Sequence, residues 1–250
     1  MSYKCAVYFV LVIMLSSGWG WSQQSTQDQH AVIVPKDNRF HEGKILYEDN
    51  FEDGLKNWQM EAQKPGKVSA SGGVLDIDVP AGLTLWFKRK LDGPVMISYE
   101  ATVISAGGPN DRVSDLNCFW MATDPASPQD MLAHRRSGAF AAYNDLLTYY
   151  VGVGGRGNTT TRFRRYIGDP KVRPLLPQND LSGADKMIAP NRTETIRVIA
   201  DDHLIEFYRG QERLFEYIDP HPYEQGWFGI RTTQNHMQVR NFRVVQLIPR

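Results

Sequence analysis

The sequence predicts an all-β protein built as an antiparallel sandwich, and three observations carry that expectation. Short runs rich in β-branched and aromatic residues recur along most of the 250 residues, punctuated by glycine, proline and Asp/Asn clusters. No stretch sustains a 3.6-residue apolar period of helical length. Hydrophobic residues make up 42% and aromatic residues 11% of the chain, enough for one sizeable core and against wholesale disorder.

From the beginning of the chain, Lys4 precedes an apolar run at 6–15, and small residues Gly18, Gly20 and Ser22 follow. That order predicts a signal peptide over 1–22 and hence export, to the periplasm or beyond the cell. The run is too short to span a membrane, and no later stretch approaches about 18 apolar residues. Cys5 precedes the apolar run, so it is badly placed for lipid attachment. Cleavage leaves Cys118, inside LNCFWM, as a small buried hydrophobe. One cysteine supports neither a disulfide framework nor a thiolate metal site. Residues 23–43 are polar and read as a linker, which leaves 44–250 as the folded domain.

Within that domain, strands are expected at 74–79, 83–88, 95–104, 116–122, 146–153, 160–167, 194–200, 204–208, 226–232 and 238–247. Breakers separate them: Gly72-Gly73, Pro80-Ala81-Gly82, the run 107–111, Asp201-Asp202 and Arg209-Gly210-Gln211. A short helix fits only around 128–134. The last two strands read as a closing hairpin whose Phe228, Ile230, Phe242 and Val244 are core. The stretch 168–192 carries four prolines and reads as a long functional or mobile insert.

The most informative segment is 147–167, LTYYVGVGGRGNTTTRFRRYI. Two strand-like runs flank a glycine-rich turn. Alternation puts Arg162, Arg164 and Tyr166 on one face, with Phe163, Arg165 and Ile167 on the other. Two arginines beside a strand carrying Tyr149 and Tyr150 suit an anionic or polyhydroxylated ligand better than a core. Net formal charge is zero, so no global field points to nucleic acid. Residues 131–173, however, hold seven Arg and one Lys against Asp145 and Asp169.

The opening YEDNFEDGLKNW (47–58) and the ending GWFGIRTTQNHMQVRNFRV (226–244) resemble the first and last strands of concanavalin A-like jelly rolls. Within that superfold, NCFWMATDP (117–125), YYVGVGG (149–155) and TTTRFRRY (159–166) resemble a family of secreted proteins of unknown function, commonly encoded among polysaccharide-degradation genes of Bacteroidetes. The resemblance implies a jelly roll similar to polysaccharide lyases, glycoside hydrolases and lectin modules, acting as a monomer on a polysaccharide or oligosaccharide. One fold hosts many functions, so the site must decide.

A lyase acting on a uronic acid must neutralise the carboxylate, remove the adjacent proton and protonate the leaving oxygen. Jelly-roll lyases typically use Tyr and His for proton transfer and Arg, Asn or Gln for the carboxylate. By that resemblance Tyr150, His134, Arg162 and Arg164 are the candidate catalytic group. Asn117, Trp120, Tyr149, Arg156, Arg231 and His236 are the candidate substrate-binding residues. Nearby arginines are expected to lower the tyrosine pKa.

Two alternatives remain. A hydrolase needs two carboxylates flanking the bond. The Glu-x-Asp-x-x-Glu strand typical of jelly-roll glucanases is absent, leaving Asp76, Asp78 and Glu206 as unpaired candidates. A lectin-like module would use Trp86, Trp120 and Trp227 as sugar platforms. No cofactor is required by any of these readings. Glu48, Asp49, Glu52 and Asp53 could supply oxygens to a structural calcium.

Overall fold

The computed structural model describes residues 39–250. The expected signal peptide, 1–22, and most of the expected linker, 23–43, lie outside the described residues. Its strands are β1 (Phe40–Asp49), β2 (Trp58–Ala62), β3 (Lys67–Ser71), β4 (Val74–Val79), β5 (Leu83–Phe87), β6 (Leu91–Asp92), β7 (Val95–Val103), β8 (Leu116–Thr123), β9 (Leu147–Gly154), β10 (Thr160–Ile167), β11 (Asp180–Leu181), β12 (Thr193–Asp201), β13 (Leu204–Arg209), β14 (Glu212–Ile218), β15 (Gln225–Thr232) and β16 (Asn235–Pro249). All ten expected strands are present. Phe40 to Gly43, assigned to the linker, belong instead to β1, which pairs antiparallel with β16.

The strands form two antiparallel sheets, as the sandwich expectation required. A back sheet runs β14-β13-β12-β7-β16-β4-β3, and a front sheet runs β11-β10-β9-β8-β15-β5-β2. Between them lies one large core, in which Phe228 of the front sheet meets Tyr99 and Phe242 of the back sheet at ring-centroid distances of 5.8 and 5.3 Å. Edge-to-face and tilted aromatic contacts of this kind add to the area term. Strand β4 shows the single-sided pattern, with Leu75, Ile77 and Val79 buried and Asp76 and Asp78 facing out.

Strand β9 is different: both of its faces are buried. Its inner face gives Tyr149, Val151 and Val153 to the inter-sheet core. Its outer face gives Tyr150 to a second cluster, with Trp86, Phe119, Tyr143, Tyr166 and Trp227. The cover over that outer face is the segment 124–146. It contains two short 3-10 turns, Met131–Ala133 and Phe140–Tyr143, where the sequence suggested one short helix. Buried Glu61 of β2 fastens this cover. It accepts hydrogen bonds from Trp86 Nε1 at 2.9 Å, Tyr143 Oη at 2.9 Å and Arg136 N at 2.8 Å.

The insert 168–192 is not structureless. It contributes β11, which pairs with β10, and two further 3-10 turns at Pro177–Asn179 and Ala184–Lys186. Among the described residues, no helix is long and apolar enough to cross a membrane. Asp49, a candidate calcium ligand, instead accepts from Phe51 N, Asn57 Nδ2 and Trp58 Nε1 and holds the first turn closed. Among the described residues, no group of three or more His, Cys, Asp or Glu forms a metal site. Cys118 is a free, buried thiol whose pKa burial pushes up to about 12.

At one end of the core, Asp219 ties the two sheets' aromatic layer to the surface. It accepts from Tyr149 Oη at 2.7 Å, Arg165 Nε at 2.6 Å and His221 N at 2.9 Å. Burial alone would raise its pKa, but these donors outweigh burial and hold it below the usual carboxylate value. A depressed folded pKa means stability that is present above the ordinary carboxylate range and lost as pH falls through the lowered value. Asp219→Asn is expected to cost about 2 kcal/mol at neutral pH, the scale of charge-assisted hydrogen bonds. The gap from wild type should narrow as pH falls below about 4. Urea unfolding across a pH series measures it, and a pH-independent gap would contradict the assignment.

Candidate functional site

Cα register sets the outer face of the front sheet in rows. One row runs Thr84, Arg231, Asn117, Gly152, Arg162 and Asp180 across six adjacent strands. The next runs Trp86, Gly229, Phe119, Tyr150 and Arg164. The two glycines make room for rings. A Cβ at Gly229 would lie 2.6 Å from the Trp86 ring, and one at Gly152 would lie 2.7 Å from the Tyr150 hydroxyl.

Over the β9–β10 side of these rows the cover is incomplete, leaving a cleft of about 240 Å³. Tyr150 and Gly152 line its base, and Arg162 and Arg164 of β10 line one side. Arg156 reaches in from the β9–β10 turn, where it adopts a left-handed φ of 54°. Arg173 and Phe140 close it from the insert and from the cover, with the guanidinium 5.4 Å from the ring. Among the described residues, Asp115, at φ 61°, is its one lining carboxylate.

These arginines differ in what holds them. Arg162 is committed to Asp180 in a two-point ion pair, Nε to Oδ1 at 2.7 Å and Nη2 to Oδ2 at 3.0 Å. Arg164 is braced by the carbonyls of Arg173 and Pro174, at 2.6 and 3.4 Å. Among the described residues, Arg156, Arg164 and Arg173 have no carboxylate partner. Asp115 accepts on Oδ2 from Ser114 Oγ at 2.6 Å and Thr233 Oγ1 at 2.7 Å, while Oδ1 has only Asn117 Nδ2 at 3.4 Å. The cleft is therefore strongly cationic, with one carboxylate at its side.

Tyr150 is 5% exposed, and its hydroxyl makes no hydrogen bond with any described residue. The expectation of a lowered pKa does not hold. Burial, with Tyr166 and Asp115 adding to it, pushes the phenol well above its ordinary value, and Arg231 only partly opposes this. The group in the cleft is a neutral phenol, a donor and not a phenolate.

Tyr150, Arg156, Arg162 and Arg164 come together as the sequence suggested; six other candidates do not join them. Tyr149 faces the inter-sheet core, its hydroxyl taken by Asp219 and by Tyr223 N. Trp120 is fully buried in the same core, 5.6 Å from the Tyr149 ring. Trp86 and Trp227 are on the outer face but lie beneath the cover, so neither is an open platform. His134 belongs to the cover segment, on the β2 side: its neighbour Leu132 receives Gln59 Nε2 at 2.9 Å, and Arg136 N meets Glu61. Its half-exposed ring is held by buried Asp124 at 2.6 Å. His236 is on the back sheet, between Asp111 at 3.1 Å and Asp76 at 3.3 Å. Burial disfavours its charge, but those carboxylates hold its pKa above the ordinary value.

Asn117 and Arg231 lie beside the cleft but are buried. Arg231 is 1% exposed; its Nη1 donates to Thr84 Oγ1 at 2.9 Å and Gly138 O at 2.8 Å. Burial pushes its pKa down. Asp115, Phe140 and Arg173 were not anticipated. Ser114-Asp115 falls just before β8, but no spacing marks it, and Phe140 and Arg173 reach the cleft only through the paths of long loops. The hydrolase candidates Asp76 and Glu206 belong to the back sheet, where they partner His236 and Gln238, and Arg39 and Arg213.

The fold and the cleft define a jelly-roll sandwich of the galectin-like kind. A Bacillus subtilis protein of unknown function with a galectin-like fold superposes with a TM-score of 0.66 at 18% identity, covering 84% of this chain and all of that one. β-Agarase A of Zobellia galactanivorans gives 0.57 at 12% identity over 90% of this chain and 100% of its own. A carbohydrate-binding module, CBM66, of Bacillus subtilis gives 0.51 at 8% identity over 76% and 96%. At these identities the likeness establishes the fold. Residues 77–242 match the family described as a domain of unknown function, DUF6250, and the chain belongs to it. No curated protein matches the chain.

The raised tyrosine pKa has a direct check. In a spectrophotometric titration, Tyr150→Phe should leave the phenolate absorbance reached near pH ~10 unchanged, because that hydroxyl does not ionise in the ordinary range. Loss of one tyrosine's amplitude there would contradict the assignment.

Proposed function

We propose that this protein is an exported carbohydrate-active protein that binds an acidic polysaccharide in the front-sheet cleft and cleaves it by β-elimination. One observation carries the reading: three arginines without carboxylate partners, Arg156, Arg164 and Arg173, surround a phenol whose hydroxyl is unengaged. Guanidinium charge without a carboxylate partner favours an acidic sugar over a neutral one. The two carbohydrate-active neighbours, an agarase and a binding module, supply the fold-level analogy.

In this reading the guanidinium groups hold the uronate carboxylate and acidify the adjacent C–H. Asp115, through Oδ1, takes that proton. The electron pair forms the new C=C bond and expels the glycosidic oxygen, which takes the Tyr150 proton. Proton exchange with water then resets both groups. A neutral phenol suits the acid role, and its burial favours that form. Hydrolysis by a carboxylate pair has less support, since among the described residues Asp115 has no second lining carboxylate opposite it.

The test is incubation with uronate polysaccharides such as pectate, alginate and glucuronate-containing glycans. Ultraviolet absorbance from an unsaturated uronate supports elimination. New reducing ends without it point to hydrolysis, and saturable retention with neither points to a binding module. If elimination occurs, Tyr150→Phe should lower kcat by about 100-fold or more with little change in KM. Arg156→Ala and Arg173→Ala should chiefly raise KM, and rising salt should weaken binding in wild type more than in these variants.

A further inference from the structure

The row that supplies the cleft does not stop at its visible edge. One position along from Gly152 lies Asn117, and one further lies Arg231. Both are almost fully buried, and both carry unmade hydrogen bonds. Arg231 Nε and Nη2 have no partner, and neither has Asn117 Oδ1. Among the described residues, no carboxylate lies within ion-pair distance of Arg231.

An arginine has five donors, and a buried guanidinium is costly to hold unless paired. Here Nη1 is satisfied, and two aromatic rings lie against the guanidinium: Tyr143 at 4.8 Å and Phe140 at 5.2 Å. What remains is one edge, Nε together with Nη2. That edge is the parallel two-donor fork that matches the two oxygens of a carboxylate. Asn117 Oδ1, in register beside it, is an acceptor suited to a sugar hydroxyl.

The barrier between this pair and the open cleft is Phe140. Its ring is half-buried, lines the cleft and also lies 5.4 Å from the Tyr150 ring. Its 3-10 turn has no side-chain hydrogen bond at the N-cap, whereas Tyr143 at the other end is anchored to Glu61. A change of the Phe140 rotamer, with the anchored end fixed, would open the cleft toward this pair; such side-chain flips are fast.

We propose that the cleft continues beneath Phe140 into a carboxylate subsite, in which the Arg231 fork takes the acid group of a uronic-acid unit and Asn117 takes a neighbouring hydroxyl. This rests on the acidic-saccharide reading above and names the group that selects the substrate. The surface arginines then hold the carboxylate of the unit being cleaved, and Arg231 takes that of a neighbouring unit, which favours an acidic chain over a neutral one.

Two measurements test it. Phenylglyoxal labelling, mapped by mass spectrometry, should modify Arg231 slowly in the wild type and about tenfold faster in Phe140→Ala, since open and closed forms separated by 1.4 kcal/mol differ by that factor. Free galacturonate should protect Arg231 in both proteins, and galactose should not. Arg231 left unlabelled in both proteins while Arg156 and Arg173 react, or labelled without protection by galacturonate, overturns the proposal.

Calorimetry with oligogalacturonate, oligomannuronate and a sulfated galacto-oligosaccharide supplies the second measurement. Arg231→Gln and Asn117→Ala should each weaken the best-bound uronate by about tenfold or more, the scale of charge-assisted hydrogen bonds. Unchanged affinity in both variants, or wild-type preference for the sulfated sugar, overturns the subsite. If none of these oligosaccharides binds the wild type, the functional reading fails, while protection of Arg231 by the monosaccharide galacturonate still decides this one.

Discussion

The pleat of strand β9 is the constraint on which the rest of the molecule depends. Consecutive side chains on a strand must point to opposite faces. Tyr149 therefore enters the inter-sheet core while Tyr150 stands on the outer face of the front sheet. A shift of register by one residue would exchange them, taking the Tyr149 hydroxyl away from Asp219 and Tyr150 out of the cleft. The same alternation on β10 sends Phe163 inward and Arg162, Arg164 and Tyr166 outward, so that two strands pair their functional faces residue against residue.

A sheet with one apolar face toward its partner leaves the other to water. Here the outer face is also largely apolar, because Trp86, Phe119 and Trp227 stand on it. The segment 124–146 buries that surface, and Glu61 fixes its position by satisfying an indole, a phenol and a backbone amide at once. Such a network is worth having only when each member is satisfied, and this one is. The cleft is what remains uncovered: the cover reaches as far as Phe140, and beyond it lie the arginines of β10, the turn and the insert.

The contrast between the two polar networks of the front sheet bears on function. The Glu61 network is closed. The Arg231 and Asn117 pair, in the adjoining strands, is left with donors and an acceptor unmade. Natural structures rarely leave buried polar groups without partners, and those they do leave concentrate where a ligand or an ordered water completes the set. Gly152, between that pair and Arg162, keeps the row low enough for a ring or a ligand to lie across it.

The sequence by itself determined the sandwich, because strand periodicity and turn chemistry are local: β4 and β10 are found at their expected limits, and the hairpin of β9 and β10 follows from its glycine turn. It also determined that Arg162, Arg164 and Tyr166 share a face. Only the tertiary structure decided which tyrosine belongs to the cleft, since alternation says that two neighbours diverge and not which way the sheet is turned. It likewise put His134 and His236 outside the cleft and brought Asp115, Phe140 and Arg173 into it. Those five positions are separated by long loops and by different sheets, and the packing of a cover on a sheet depends on contacts between distant segments that no local pattern encodes.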